Sequence, residues 1–83
     1  VSRDYAEQAA RRAARNGGAL MPEDALLQAL LADGEDAIGD AVRIRTSAPL
    51  IDHDYLAYWV DELGLQEKWR AFERAREDRF GPA

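Results

Sequence analysis

Hydrophobic positions along the chain recur at helical spacing, and no stretch alternates as a half-buried strand does. The first periodic segment runs from Ser2 to Arg15, with Tyr5, Ala6, Ala9, Ala10 and Ala13 on one face. Ser2 suits an N-cap, and Asp4 and Glu7 lie near the positive end of the helix dipole. Asn16-Gly17-Gly18 supplies residues that accept the left-handed conformation of a C-cap. Alanine gives this helix high propensity but little area to bury, so residues 1–16 are expected to attach loosely to a core formed by residues 22–80.

A second helix opens at Pro22-Glu23-Asp24, where proline suits the first helical position. It carries Leu26, Leu27, Leu30 and Leu31 as a broad apolar stripe and closes at Asp33-Gly34. A weaker third helix holds Ile38, Ala41 and Val42, with Gly39 inside it at a cost of about 1 kcal/mol relative to alanine. Thr46-Ser47-Ala48-Pro49 breaks the chain, because the residue before proline avoids the helical region. Asp52 then caps the clearest helix, which puts Tyr55, Leu56, Trp59, Val60 and Leu63 on one face. Leu50 or Ile51 is placed to staple back onto its first turn, and Gly64 is its C-cap. The last helix runs from about Gln66 to Arg79 with Trp69, Phe72 and Ala75 or Arg76 inward, and Gly81-Pro82 ends it. Glu67–Arg70, Glu73–Arg76 and Arg74–Asp78 are spaced to pair on its outer surface. The expected fold is all-α, a compact bundle of four to five short helices in one domain spanning residues 1–83. Its expected core is Leu26, Leu27, Leu30, Leu31, Ile38, Val42, Leu56, Trp59, Leu63, Trp69 and Phe72.

Charge narrows the function. The net charge of −5 argues against indiscriminate binding to nucleic acid. It is unevenly spread: residues 1–15 carry four arginines against two acids, whereas residues 21–64 carry two arginines against ten acids. There is no cysteine, which excludes disulfides and thiolate metal sites and fits a reducing cytoplasm. No apolar run reaches the roughly 18 residues of a membrane span, and the N-terminal stretch lacks the apolar core of a secretory signal.

Several constellations invite chemistry and fall short of it. His53 lies between Asp52 and Asp54, but neighbours on a helix do not converge on one metal ion, so it reads as an exposed first-turn histidine. Asp33, Glu35, Asp36 and Asp40 form an acidic loop, yet a calcium loop needs glycine at its sixth position and Ile38 stands there. The run KWRAFERAREDRF mixes arginines with aromatics, but its acids offset its bases and its aromatics fall at core spacing. Gly17-Gly18 and Gly34 have neither phosphate-loop nor dinucleotide spacing. No nucleophile–base pair can be assembled. No cofactor is expected.

Residues 52–65, DHDYLAYWVDELGL, resemble a segment near the C-terminus of minimal nucleotidyltransferase-like proteins of the antitoxin and abortive-infection type. Asp52, Asp54, Tyr55, Leu56, Trp59, Leu63 and Gly64 carry the match. Pro22-Glu23-Asp24 before the leucine-rich helix and Ile38-Gly39-Asp40 after it extend the resemblance over residues 22 to about 70. Where the family has a mixed basic and acidic cluster, this chain has Gly34, Glu35, Asp36 and Ala37. The family's Gly-Ser turn and paired aspartates have no counterpart. The resemblance therefore implies a helical tail without its catalytic domain, and it carries over no functional residue.

The function expected is a non-catalytic interaction or regulatory module with a protein partner or a second copy of itself. Tyr5, Ala9, Ala13, Trp69, Phe72 and Phe80 are its candidate interface. One alternative is a fragment of an enzyme whose catalytic domain lies on another chain or has been lost. A second is a small DNA-binding regulator with Arg3, Arg11, Arg12 and Arg15 turned to phosphate.

Overall fold

The computed structural model describes residues 3–32 and 36–80, with side chains described up to residue 78. Five helices follow one another: α1 (Arg3–Arg15), α2 (Pro22–Leu31), α3 (Ala37–Ser47), α4 (His53–Glu62) and α5 (Gln66–Phe80). Among the described residues there is no strand, and the fold is the all-α bundle that the periodicity predicts. No helix among them is long and apolar enough to cross a membrane.

Local chemistry places the helix ends. Gly17 and Gly18 both take positive φ after α1, and the Gly18 amide donates to the Ala13 carbonyl at 2.8 Å. This is the longer-range closure of a glycine-capped helix. Pro22 opens α2, as its spacing predicts. At α4 the Asp52 carboxylate accepts from the Tyr55 amide at 3.1 Å. At the other end Gly64 turns the chain at φ +67°, and the Leu65 amide closes onto the Val60 carbonyl at 2.9 Å. That turn delivers Leu65 into the core. Of the two candidate staples, Ile51 packs against the core and Leu50 stays in solvent. The caps expected at Ser2, at Asp33-Gly34 and at Gly81-Pro82 lie outside the described residues.

The core gathers Leu26, Leu27 and Leu30 from α2, Ala41 and Val42 from α3, Leu56, Trp59 and Val60 from α4, and Phe72 from α5. Leu31, Ile38, Leu63 and Trp69, also expected there, are half-buried against its edge. The backbones of α2 and α3, and of α3 and α5, run closest together, and α1 approaches no other helix so closely. On α5, none of the three expected ion pairs forms among the described residues. Elsewhere, ion pairs join Arg12 of α1 to Glu23 and Asp24 of α2, and Arg43 to Asp40 within α3.

The attachment of α1 departs from expectation. Tyr5 is 1% exposed and Ala9 4% exposed, so the helix is anchored rather than loose. The Tyr5 ring meets Trp59 edge-on at 5.1 Å between centroids. The helix faces inward along Tyr5, Ala9 and Arg12, a stripe rotated away from Ala6 and Ala10, which remain exposed.

Candidate functional site

Beneath α1 lies a buried polar cluster built on the first turn of α2. Asp24 is fully buried and Glu23 nearly so. Two carboxylates in the first turn of a helix lie near its positive dipole end, which lowers the cost of burying them. The Asp24 carboxylate accepts hydrogen bonds from three side chains on two other helices, α1 and α4. Tyr5 of α1 donates its hydroxyl at 3.2 Å, Tyr55 of α4 donates its own, and Arg12 donates Nε at 3.1 Å. The Tyr5 oxygen also lies 3.3 Å from the Asp24 carbonyl, so its one hydrogen is shared. Glu23 faces both ways. Its Oε1 accepts from Arg12 Nη2 at 2.8 Å, and its Oε2 accepts from the backbone amide of Asp52 at 2.8 Å, just ahead of α4.

Arg12 completes the cluster. Its guanidinium spans the two carboxylates with separate nitrogens and lies 3.7 Å above the Tyr55 ring. Its planar fork suits this double engagement in a way a lysine does not. One cation against two acids leaves an excess negative charge, spread over two tyrosine hydroxyls and a backbone amide. Burial, followed by the charge of Asp24, pushes the Tyr5 hydroxyl far above its ordinary value. Burial and the hydrogen bond to Asp24 do the same for Tyr55. Both tyrosines therefore remain neutral donors across the physiological range. With every oxygen of both carboxylates engaged, the cluster is arranged to hold helices together.

Beside the cluster, a groove of about 500 Å³ lies between α1 and α2. Tyr5, Ala6, Ala9, Ala10 and Ala13 form its α1 wall, with Leu31, Ala32 and Gln28 on the α2 side. Leu20, from the connection, closes one end and is 40% exposed. A second hollow of about 490 Å³ lies between α4 and α5, lined by His53, Ala57, Val60, Asp61, Gln66, Trp69 and Glu73.

The structure redistributes the residues singled out from sequence. Tyr5, Ala9 and Phe72 are buried in the chain's own core, which corrects their reading as interface residues. Ala13 is half-buried in the groove wall, and half-buried Trp69 lines the second hollow. The Phe80 side chain lies outside those described. Arg12 is turned inward, which corrects its placement on a phosphate-facing surface; Arg3, Arg11 and Arg15 remain exposed. His53 is exposed at the start of α4, and Asp52 serves as the cap. Among the described residues, no three metal-ligating side chains come together. In the acidic loop, Asp33 and Glu35 lie outside the described residues, and Asp40 pairs with Arg43.

Sequence reasoning missed Glu23 and Asp24 as buried residues. The available signal was Tyr5, Ala9 and Arg12 at one-face spacing, an aromatic and an arginine flanking an alanine. Comparison with protein-family models, with curated proteins and with solved structures gives no match.

Proposed function

We propose that this chain is a non-catalytic docking module that binds a helical protein segment in the groove between α1 and α2. The observation that carries this reading is the groove's support. The buried cluster of Arg12, Glu23, Asp24, Tyr5 and Tyr55 ties α1 to α2 and α4, so the apolar walls are set before a partner arrives. A preformed site avoids the ordering cost that binding otherwise incurs. Its α1 wall is almost entirely alanine, which lets a helix approach closely, and Leu20 and Leu31 offer larger apolar contacts at its margins. An amphipathic helix laid into such a groove buries its apolar side chains there.

The inward turn of Arg12 removes one of four arginines from the face that a DNA-binding reading needs, so protein docking is the better-supported function.

The test compares the wild-type chain with Ala10→Arg, which places a long charged side chain in the groove from an exposed position. Affinity capture from the native host, quantified against this variant, should show a partner or a second copy held by wild type and lost by Ala10→Arg at unchanged melting temperature. A thermal-shift series with ATP, GTP, magnesium and zinc should show no displacement, since a ligand of the native state raises its stability. A reproducible nucleotide shift, or capture indifferent to Ala10→Arg, overturns the reading.

A further inference from the structure

We propose that the hollow between α4 and α5 binds a linear aliphatic polyamine, with one end on Asp61, the other on Glu73, and its methylenes over Trp69. The site is separate from the groove beside α1, so it stands or falls independently of the docking reading. The first observation is the charge of the hollow's own lining. Asp61 and Glu73 both line it, and among the described residues no lysine or arginine does. Neither carboxylate takes part in an ion pair among the described residues. Gln66 Nε2 donates to Asp61 Oδ1 at 3.1 Å, which steadies that carboxylate and leaves Oδ2 for a ligand. Arg70, between Gln66 and Glu73 in sequence, is exposed and outside the lining.

The second observation is spacing. Gln66 marks the Asp61 end of the hollow, and Glu73 lines it about 10 Å further along α5. A single ammonium group does not span that distance. An extended chain with an ammonium group at each end does, as in spermidine. The lining between the two acids is apolar, from Ala57, Val60 and Trp69. Trp69 is half-buried, and its ring is backed by buried Phe72 at 5.0 Å between centroids. An indole held in this way offers apolar surface to methylenes and its face to a cation. His53, in the first turn of α4, also lines the hollow, and its neutral imidazole accepts one further hydrogen bond.

A basic peptide carries the same cations, but it also brings backbone amides and carbonyls that need partners. The uncharged polar side chains of the lining are Gln66 and His53, and Gln66 is already committed to Asp61. A polyamine brings only groups that the hollow can satisfy. Both acids are exposed, so water screens each contact. The dissociation constant is therefore on the order of 1 mM at low salt, and binding weakens as salt rises.

The experiment is a spermidine titration of the nitrogen-15-labelled full chain at low salt, followed by NMR. Spermidine should move the Trp69 indole and Gln66 side-chain amide resonances to saturation and leave the Trp59 indole in place. Glu73→Gln and Asp61→Asn should each weaken binding by about fivefold. Glu7→Gln removes the same charge from α1 and should leave binding unchanged, which separates the hollow from the chain's net charge. n-Butylamine, with one ammonium group, should bind about tenfold more weakly than spermidine. Circular dichroism melts confirm that each variant is folded. The absence of a saturable shift overturns the proposal, as does binding indifferent to both Glu73→Gln and Asp61→Asn. Magnesium or n-butylamine moving the same resonances as effectively also overturns it, because the hollow then attracts any cation. A lysine-rich peptide that saturates these resonances where spermidine does not overturns it too, and gives the hollow to a protein partner.

Discussion

Helix α1 and the four helices behind it are held by different forces. Helices α2 to α5 meet through leucines, Val42, Trp59 and Phe72, in a core where neighbours exclude water from all sides. Helix α1 meets them through Tyr5, Ala9 and Arg12, and two of those three end in polar groups bonded to buried acids. Apolar packing is non-directional and tolerates small shifts. The α1 attachment depends on hydrogen bonds with fixed geometry, and losing one partner strands the others. The lesson is that a helix with little area to bury can still be firmly placed if its few large side chains reach a prepared polar site.

Four changes probe that contrast, in descending order of effect. Phe72→Ala, in α5, should cost about 3–5 kcal/mol, the usual range for deleting a buried aromatic. Such a loss approaches the whole stability of a small domain. It should lower hydrogen-exchange protection in every helix together; protection lost only in α5 would mean the core is not one cooperative unit. Arg12→Ala comes next, at about 3 kcal/mol, because two buried carboxylates lose their only cation. Here the loss should fall first on α1, whose amides should exchange quickly while those of α2 stay protected. Equal loss across all helices would erase the distinction between the two regions.

Tyr5→Phe is expected to cost about 1–2 kcal/mol, since it removes one donor to Asp24 and keeps the ring against Trp59. It also has a signature in pH. The Tyr5 hydroxyl is raised in the folded chain, so its contribution is complete below the ordinary tyrosine value near pH 10 and declines as pH rises above it. Melting temperature measured from about pH 9 to 12 should fall steeply for wild type and less steeply for Tyr5→Phe. Parallel curves would show that Tyr5 is not held neutral by its surroundings. The smallest effect is Gly64→Ala, at about 1 kcal/mol, because only glycine adopts φ +67° without strain. It should unsettle Leu65 and the start of α5 and leave α1 untouched, as read by local hydrogen exchange.

What sequence revealed and what it hid follow the same division. Pro22, Asp52 and Gly64 mark helix ends through chemistry confined to a few adjacent residues, and each stands where its local signal predicts. The apolar stripe of α4 is equally local and equally legible. The inward face of α1 is less legible, because its alanines cover two adjoining faces and periodicity alone does not say which of them turns inward. The choice is made by Arg12 and Tyr5 finding Asp24 and Glu23, a pairing across the fold that no repeat in the sequence encodes. Glu23 and Asp24 likewise look like ordinary dipole-favoured acids at a helix start, and only the arrival of α1 and α4 above them makes them central. The groove between α1 and α2, which exists only once that pairing is made, is likewise invisible in the chain's linear pattern.

The long span of the polar cluster also orders events in time. Synthesis produces α1 before any of its partners, and a helix of 13 residues is marginal in water by itself. Asp24 arrives 12 positions after Arg12, but Tyr55 arrives only 31 positions after Asp24. Until α4 has been made, Arg12 has no ring to lie against, Asp24 lacks one of its donors, and the Asp52 amide that occupies Glu23 does not exist. Of these five helices α1 is made first yet cannot find its full seat until α4 has emerged, and its alanine face stays available to other proteins throughout that wait.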